Sequence, residues 1–244
     1  MTFSLDFLSV DSEALSLNAW NLSEIESVDD FQRAIESVNQ NPGRNYVTCK
    51  LPIESLDLVH AAESAGFSFV ETQFQTTLRL TKTFDTSKYP YEYVPVLYED
   101  QLSEVLQIAE TTIEHDRFSR DPEIGSNSSG LRYRRYLQDS YNRDKDEIWA
   151  VKSKMTGKLL TFRSHRVINE TEVSLLLGGV HRDFKNVGLG VVSSHFCFNQ
   201  LRDAGFRRAT THISAANIPI LNLEVGHFDF KIQKSYVVMR ADLK

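Results

Sequence analysis

The chain has 244 residues, 41% hydrophobic and 25% charged, which is enough apolar material for a sizeable core in one or two domains and is not the composition of a disordered chain. A formal net charge of −6 and a pI near 5.7 repel phosphate backbones and argue against general nucleic-acid binding, although 27 Lys and Arg leave room for a local basic patch facing a small phosphorylated ligand. Cys49 and Cys197 form neither a metal-ligand pattern nor a disulfide framework, and read as buried free thiols in a reducing compartment.

The N-terminal stretch MTFSLDFLSVDSEA has no basic region and no long apolar region, so a signal peptide is not expected. No apolar run approaches the roughly 20 residues of a membrane span. A cytoplasmic protein without a membrane span is therefore expected. The first predicted element is a helix over Asp29 to Asn39, closed by an Asn41-Pro42-Gly43 turn. A strand over Tyr46 to Leu51 follows, ended by Pro52. Ile53 to Ala65 reads as a helix with Leu56, Val59 and Ala62 on one face, Ser55 as its cap and Gly66 as its stop. Phe67, Phe69, Thr77, Leu78 and Leu80 lie in β-prone segments on either side of Glu71 to Gln75. Thr83 to Pro95, polar and aromatic with two prolines, reads as a linker. These features divide the chain into residues 1–89 and 90–244.

In the second part, Gln101 to Glu114 is predicted helical with Leu102, Val105, Leu106 and Ala109 inward. Asp116 to Gly130 reads as a long exposed loop of the kind that is functional or disordered. A helix over Leu131 to Arg143 is followed by strands at Glu147 to Ser153, Lys158 to Ile168 and Glu172 to Val180. Then come a helix from Gly188 to Ala204, a strand over Ala209 to Ile213, a short helix over Asn217 to Leu223 and a last strand over Phe230 to Arg240. Strands and helices intermix, so the class is α/β or α+β.

The most informative stretch runs from Leu175 to Gly190, where an apolar strand enters a polar turn and a helix begins at two glycines. A helix start presents unpaired N–H groups and the positive end of the dipole, and glycine lets a phosphate approach the backbone. Together they make an anion site suited to a pyrophosphate, with Lys185 adding charge. A tight strand-to-helix connection with no ligand is an equally ordinary reading of such glycines. Ser193 stands where a dinucleotide fingerprint needs its third glycine, and no Gly-Lys-Ser/Thr of a phosphate-binding loop occurs.

The spacing from Val180 through Lys185 to Gly188 and Gly190 resembles the coenzyme A-binding motif of the GNAT superfamily of N-acetyltransferases, in which a strand-ending valine precedes Arg/Gln-x-x-Gly-x-Gly/Ala at a helix start. Lys185 stands here at the usual Arg/Gln and Arg182 at a frequent proline. The helix ending at Asp203-Ala204-Gly205-Phe206, the next strand and Asn217 continue the resemblance, which covers roughly Val94 to Arg240. Glu63 to Glu71, Arg117-Phe118-Ser119-Arg120-Asp121-Pro122 and Tyr133 to Leu137 further resemble the dTDP-fucosamine acetyltransferase-like amino-sugar acetyltransferases, which carry an extra N-terminal half like a truncated GNAT domain.

The resemblance implies a central mixed, mostly antiparallel splayed sheet flanked by helices, and an acetyl-coenzyme A-dependent N-acetyltransferase without a metal. Its acceptor would be a small-molecule amine, a nucleotide-linked amino-deoxy sugar of polysaccharide biosynthesis, attacking directly in a ternary complex. A homodimer is left open. Gly178, Val180, Lys185, Asn186, Val187, Gly188, Leu189, Gly190 and Asn217 would hold the coenzyme. Arg117, Phe118, Arg120 and Tyr133 would meet the nucleotide-sugar, since Arg pairs bidentately with phosphate; the same residues also fit a solvated helix face. Many family members place a tyrosine seven residues after the motif asparagine as the thiolate's acid. Counting from Asn217 gives Glu224 and aligning backward from Phe230 gives Val225, neither a tyrosine, so His227, Tyr236 or solvent would substitute. Glu172, on the strand leading to the glycine turn, is the candidate base, with a solvated strand-end carboxylate as its plain alternative. A GNAT enzyme for another amine or a protein N-terminus, and a coenzyme-binding module without catalysis, are the competing functions.

Overall fold

The computed structural model describes residues 3–112, 121, 124, 126–185 and 187–243. The N-terminal part contributes β1 (Ser4–Phe7), α1 (Ser9–Leu15), β2 (Asn18–Ser23), α2 (Val28–Asn39), β3 (Asn45–Pro52), α3 (Leu56–Ser64) and β4 (Ser68–Arg79). The chain then forms β5 (Tyr91–Pro95), α4 (Glu99–Thr112), α5 (Ser126–Asn142), β6 (Glu147–Ser153), β7 (Leu159–Asn169) and β8 (Glu172–Val180). A 3₁₀ turn (Arg182–Phe184) leads into α6 (Leu189–Asp203), and β9 (Arg208–Ser214), the short helix α7 (Ile218–Leu221), a π turn (Asn222–His227) and β10 (Lys231–Leu243) complete it.

All ten strands join one sheet in the order β1-β2-β3-β10-β4-β9-β8-β7-β6-β5. Only β2–β3 and β8–β9 are parallel neighbours, so the sheet is mixed and mostly antiparallel, with helices on it, as expected. The last strand lies in the middle. Tyr236 to Leu243 of β10 pair with Asn45 to Pro52, and its other edge pairs with β4.

Three apolar clusters hold the helices to the sheet. Phe31, Ala34 and Val38 of α2 and Leu58 and Ala62 of α3 pack on Val47, Cys49, Leu51 and Met239. Leu102, Val105, Leu106, Ile108 and Ala109 of α4 pack with Leu137, Ile148, Ala150 and Phe162. Cys197, Phe198 and Leu201 of α6 pack with Val173, Leu175 and Tyr93. Adjacent residues of β5, Tyr93 and Val94, join different clusters. Successive strand side chains point to opposite faces, so α4 and α6 cover opposite faces of that end of the sheet. Asp121 is buried and ties this end to the N-terminal strands, accepting from Tyr46 Oη at 2.7 Å and pairing with Arg240 at 3.0 Å. Tyr46→Phe removes one buried charge-assisted bond and is expected to cost about 1.5–3 kcal/mol in a denaturant titration.

Several expectations are corrected. The first 28 residues, for which no element is predicted, supply β1, α1 and β2. α3 starts at Leu56 rather than Ile53, because Ile53 and Glu54 form a turn after β3. The register change leaves Leu56 59% exposed and buries Leu58 in its place, and Ser55 makes no side-chain cap bond. Residues 68–79 are one continuous strand, since pairing with β9 and β10 on both edges overrides the low propensity of Glu71 to Gln75. Tyr91 to Pro95, expected in a linker, form the edge strand β5. Residues 126–130, expected in a loop, belong to α5. Both cysteines are buried and free. Among the described residues no helix is long and apolar enough to cross a membrane.

Candidate active site

Strands β8 and β9 pair only at Glu172–Ser174 with Arg208–Thr210. Beyond Ser174, β8 keeps its pairing with β7 and β9 keeps its pairing with β4, so the two strands diverge in the middle of the sheet. A bulge sharpens the divergence. Leu176 and Leu177 of β8 oppose the single residue Ser164 of β7, whose Oγ accepts from the Leu177 N–H at 3.1 Å. The wedge between the strands is part of a cleft of about 900 Å³, lined by Ser174 to Val180 on one side and Thr211 to Ser214 on the other. Backbone N–H and C=O groups on the inner edge of β8 thus face a cavity instead of a neighbouring strand, a row of donors and acceptors for an extended ligand.

At the end of β8 the chain passes close under α4. A Cβ on Gly179 would stand 2.7 Å from Phe162 Cε1 and 2.8 Å from Thr112 Oγ1, so only glycine fits there. The 3₁₀ turn then brings the chain to Gly188, whose φ of +82° is a left-handed conformation suited to glycine. From there α6 starts with no acidic residue in its first turn and, among the described residues, no side chain capping its N–H groups. The helix is aimed by its apolar stripe, Leu189, Cys197, Phe198 and Leu201, which is buried against the sheet. Its open N-terminus and the exposed Lys185 border the same cleft as the diverging strands. A Cβ on Gly190 would meet only Leu223 Cδ2, at 3.7 Å, which leaves room over the first turn. Asn217 closes this end. Its Oδ1 accepts from the Ile220 N–H at 3.3 Å, and the residue lines the cleft.

Two buried carboxylates also line the cleft, Glu71 on β4 and Glu224 in the π turn, 2% and 6% exposed. Each has one oxygen, Oε2, without a hydrogen-bond partner among the described residues, and Glu71 Oε1 accepts from Gln73 Nε2 at 2.6 Å. Burial pushes the Glu224 carboxyl up to about 7, opposed by the nearby Arg163 guanidinium. Arg163, opposite Gly178 on β7, donates to Ser194 Oγ at 2.5 Å. Burial, reinforced by Lys50, pushes His212 down to about 4, so its imidazole is neutral at pH 7. Arg132, at the far wall, is paired with the buried Asp11 at 2.6 Å.

The structure brings Gly178, Val180, Lys185, Gly188, Leu189, Gly190 and Asn217 together on the cleft, which Tyr133 also lines. Val187 is 66% exposed and does not line it. Asn186, Arg117, Phe118 and Arg120 lie outside the described residues. The three expected acid–base residues lie off the cleft. Glu172 sits at the closed end of the wedge, accepting from Thr210 Oγ1 at 2.7 Å and facing Arg208 at 3.6 Å. His227 is exposed and edge-on to Phe228. Tyr236 sits between Lys50 and Gln75 in the β10 row. Glu71, Glu224 and Arg163 were not among the expected site residues. Counting from Asn217 reaches Glu224, but its burial and its open oxygen are visible only in three dimensions. Among the described residues no group of three or more His, Cys, Asp or Glu is placed to hold a metal.

No family model matches the chain, and no curated protein matches it. Solved structures do. A GCN5-related N-acetyltransferase from Sphaerobacter thermophilus superposes with a TM-score of 0.69 at 12% identity, over 99% of this chain and 76% of that one. A GCN5-related N-acetyltransferase from Kribbella flavida gives 0.62 at 10% identity, over 91% and 80%. A tandem GNAT protein from the clavulanic acid biosynthesis pathway gives 0.60 at 13% identity, over 92% and 75%. The chain has the GNAT fold, and at these identities the likeness concerns the fold alone.

Proposed function

We propose that this chain is an N-acetyltransferase that takes its acetyl group from acetyl-coenzyme A. One observation carries the reading: the open edge of β8 and the uncapped N-terminus of α6 meet in a single cleft. The strand edge suits an extended, amide-containing pantetheine chain, and the helix start suits a pyrophosphate. The glycines supply room for this ligand: among the described residues a Cβ on Gly188 would meet nothing within 4 Å and one on Gly190 only Leu223 Cδ2 at 3.7 Å. When bound, acetyl-coenzyme A supplies an activated thioester. The protein's part is to align that carbonyl with the amine, to exclude water and to handle protons. The amine attacks only when neutral, so a proton must leave it.

For the acceptor we propose the amine of a nucleotide-linked amino-deoxy sugar. Polar side chains on the cleft floor, Glu71, Gln73 and His212, suit a hydroxylated amine, and Tyr133 offers a ring at the wall. Arg132, Arg134 and Arg135 pair with Asp11, Glu110 and Glu13; Arg117 and Arg120, outside the described residues, are proposed to meet the diphosphate. Residues 1–89 are proposed as a truncated GNAT-like half that shares its sheet with residues 90–244, supported by the apolar cluster uniting α2 and α3 with β3.

Calorimetry with acetyl-coenzyme A should give a dissociation constant in the range of roughly 1–100 μM, in keeping with ordinary enzyme affinities. Free thiol should appear when dTDP-amino-sugars are added. Absence of acetyl-coenzyme A binding would remove the function. Thiol release with polyamines or peptides but with no amino-sugar would move the acceptor to another amine class.

A further inference from the structure

We infer that Glu224 is the proton donor to the departing coenzyme A sulfur, an assignment that rests on the acetyl-transfer reading above. Two placements converge on it. A Cβ on Gly190 would stand 3.7 Å from Cδ2 of Leu223, the residue preceding Glu224, so the π turn lies against the first turn of α6. Arg163, whose charge reaches the carboxyl, lies opposite Gly178 on the free-edged strand. Glu224 therefore lies between the helix start and the diverged β8. A chain held by phosphates at the former and by amides along the latter would bring its thioester past this carboxyl. The backbone is fixed too, since the Glu224 carbonyl accepts from the Phe230 N–H at 3.0 Å.

Among the described residues no hydrogen bond to Glu224 Oε2 accounts for the burial of this side chain. It is 6% exposed, lines the cleft and leaves Oε2 without a partner. An unmet buried carboxyl oxygen costs stability, and such groups concentrate at functional sites. Among the described residues the charged or titratable groups facing it are Arg163 from β7 and Cys197 from α6, with Tyr93 of β5 against Cys197. Burial outweighs Arg163 and leaves the carboxyl half protonated near pH 7, where a donor is most effective. In the step, the amine lone pair forms the C–N bond and the C–S bond breaks with its electron pair on sulfur. The Glu224 carboxyl gives its proton to that thiolate. The proton released by the amine enters solvent, and solvent returns one to Glu224, so the net change is amine plus thioester to amide plus thiol.

Glu224→Gln keeps the size and loses the proton. With whichever amine the wild type acetylates, the variant should lose kcat by about 10²-fold or more while its acetyl-coenzyme A dissociation constant stays within about threefold. The wild-type kcat should fall above pH 7 as the carboxyl ionises, and that limb should vanish in the variant. A second arm needs no acceptor. Calorimetric affinity of wild type for desacetyl coenzyme A, relative to that of the variant, should change as pH passes through 7, because the sulfur then meets a carboxylate in place of a carboxyl. A kcat within threefold of wild type, or superimposable pH profiles of coenzyme A affinity, would overturn the assignment. A wild-type protein that binds neither coenzyme form at any pH defeats the acetyl-transfer reading itself, and this inference with it.

Discussion

Ending the chain at Phe230 is expected to abolish folding of the whole molecule, including the N-terminal elements far from the cut in sequence. The reason is the position of β10. It is an interior strand, hydrogen-bonded to β3 along one edge and to β4 along the other. Val238, Met239 and Ala241 are all at most 1% exposed, and Met239 and Ala241 belong to the cluster that holds α2 and α3. Without β10 the buried faces of Val47, Cys49 and Leu51 lose their cover, and two long strand edges open at once. Burial of a large apolar side chain contributes about 1.5–3 kcal/mol. Several such losses together with a complete ladder exceed the roughly 5–15 kcal/mol by which a protein of this kind is stable. The truncated chain should appear insoluble on expression, or give no cooperative thermal transition by circular dichroism. A soluble truncated protein with a sharp melt would mean that the two parts hold together without their shared strand.

The second large effect concerns the helix start. Gly190→Glu is expected to weaken acetyl-coenzyme A binding by more than about 100-fold while leaving the fold intact. The new carboxylate would occupy the open space over the first turn of α6, where a pyrophosphate would otherwise meet bare N–H groups. Like charge and lost room then act together against the ligand. The same charge is favourable for the helix itself, since an acidic side chain near an N-terminus contributes about 0.3–1 kcal/mol. The melting temperature should therefore stay within about 2–4 °C of wild type, which separates lost binding from lost folding. Gly190→Ala, whose Cβ would meet only Leu223 at an ordinary 3.7 Å, should cost far less. Equal acetyl-coenzyme A affinity in wild type and Gly190→Glu would show that the diphosphate lies elsewhere.

The parts of the fold legible in the sequence are those whose stabilising signal is local. The strand Glu172 to Val180 and the glycine start of α6 were placed to within a residue because apolar alternation, a left-handed glycine and a helical stripe all act over neighbouring positions. The first 28 residues were silent, since β1 and β2 are short strands whose pairing depends on β3, more than 20 residues further on. β4 reads as interrupted because its central polar residues have low strand propensity. What makes it continuous is its two partners, one of them the C-terminal strand.

The site divides along the same line. Residue order alone determined the strand-to-helix side of the cleft, a strand running through Gly178 and Val180 to a helix start at Gly188 to Gly190, because those groups present their own backbone. Only the tertiary structure decided the acidic side of the cleft. Burial and missing partners are properties of neighbours brought from β4, β7 and the π turn. That is why Glu172, His227 and Tyr236 lie off the cleft, and why Glu71 and Glu224 emerged as its carboxylates.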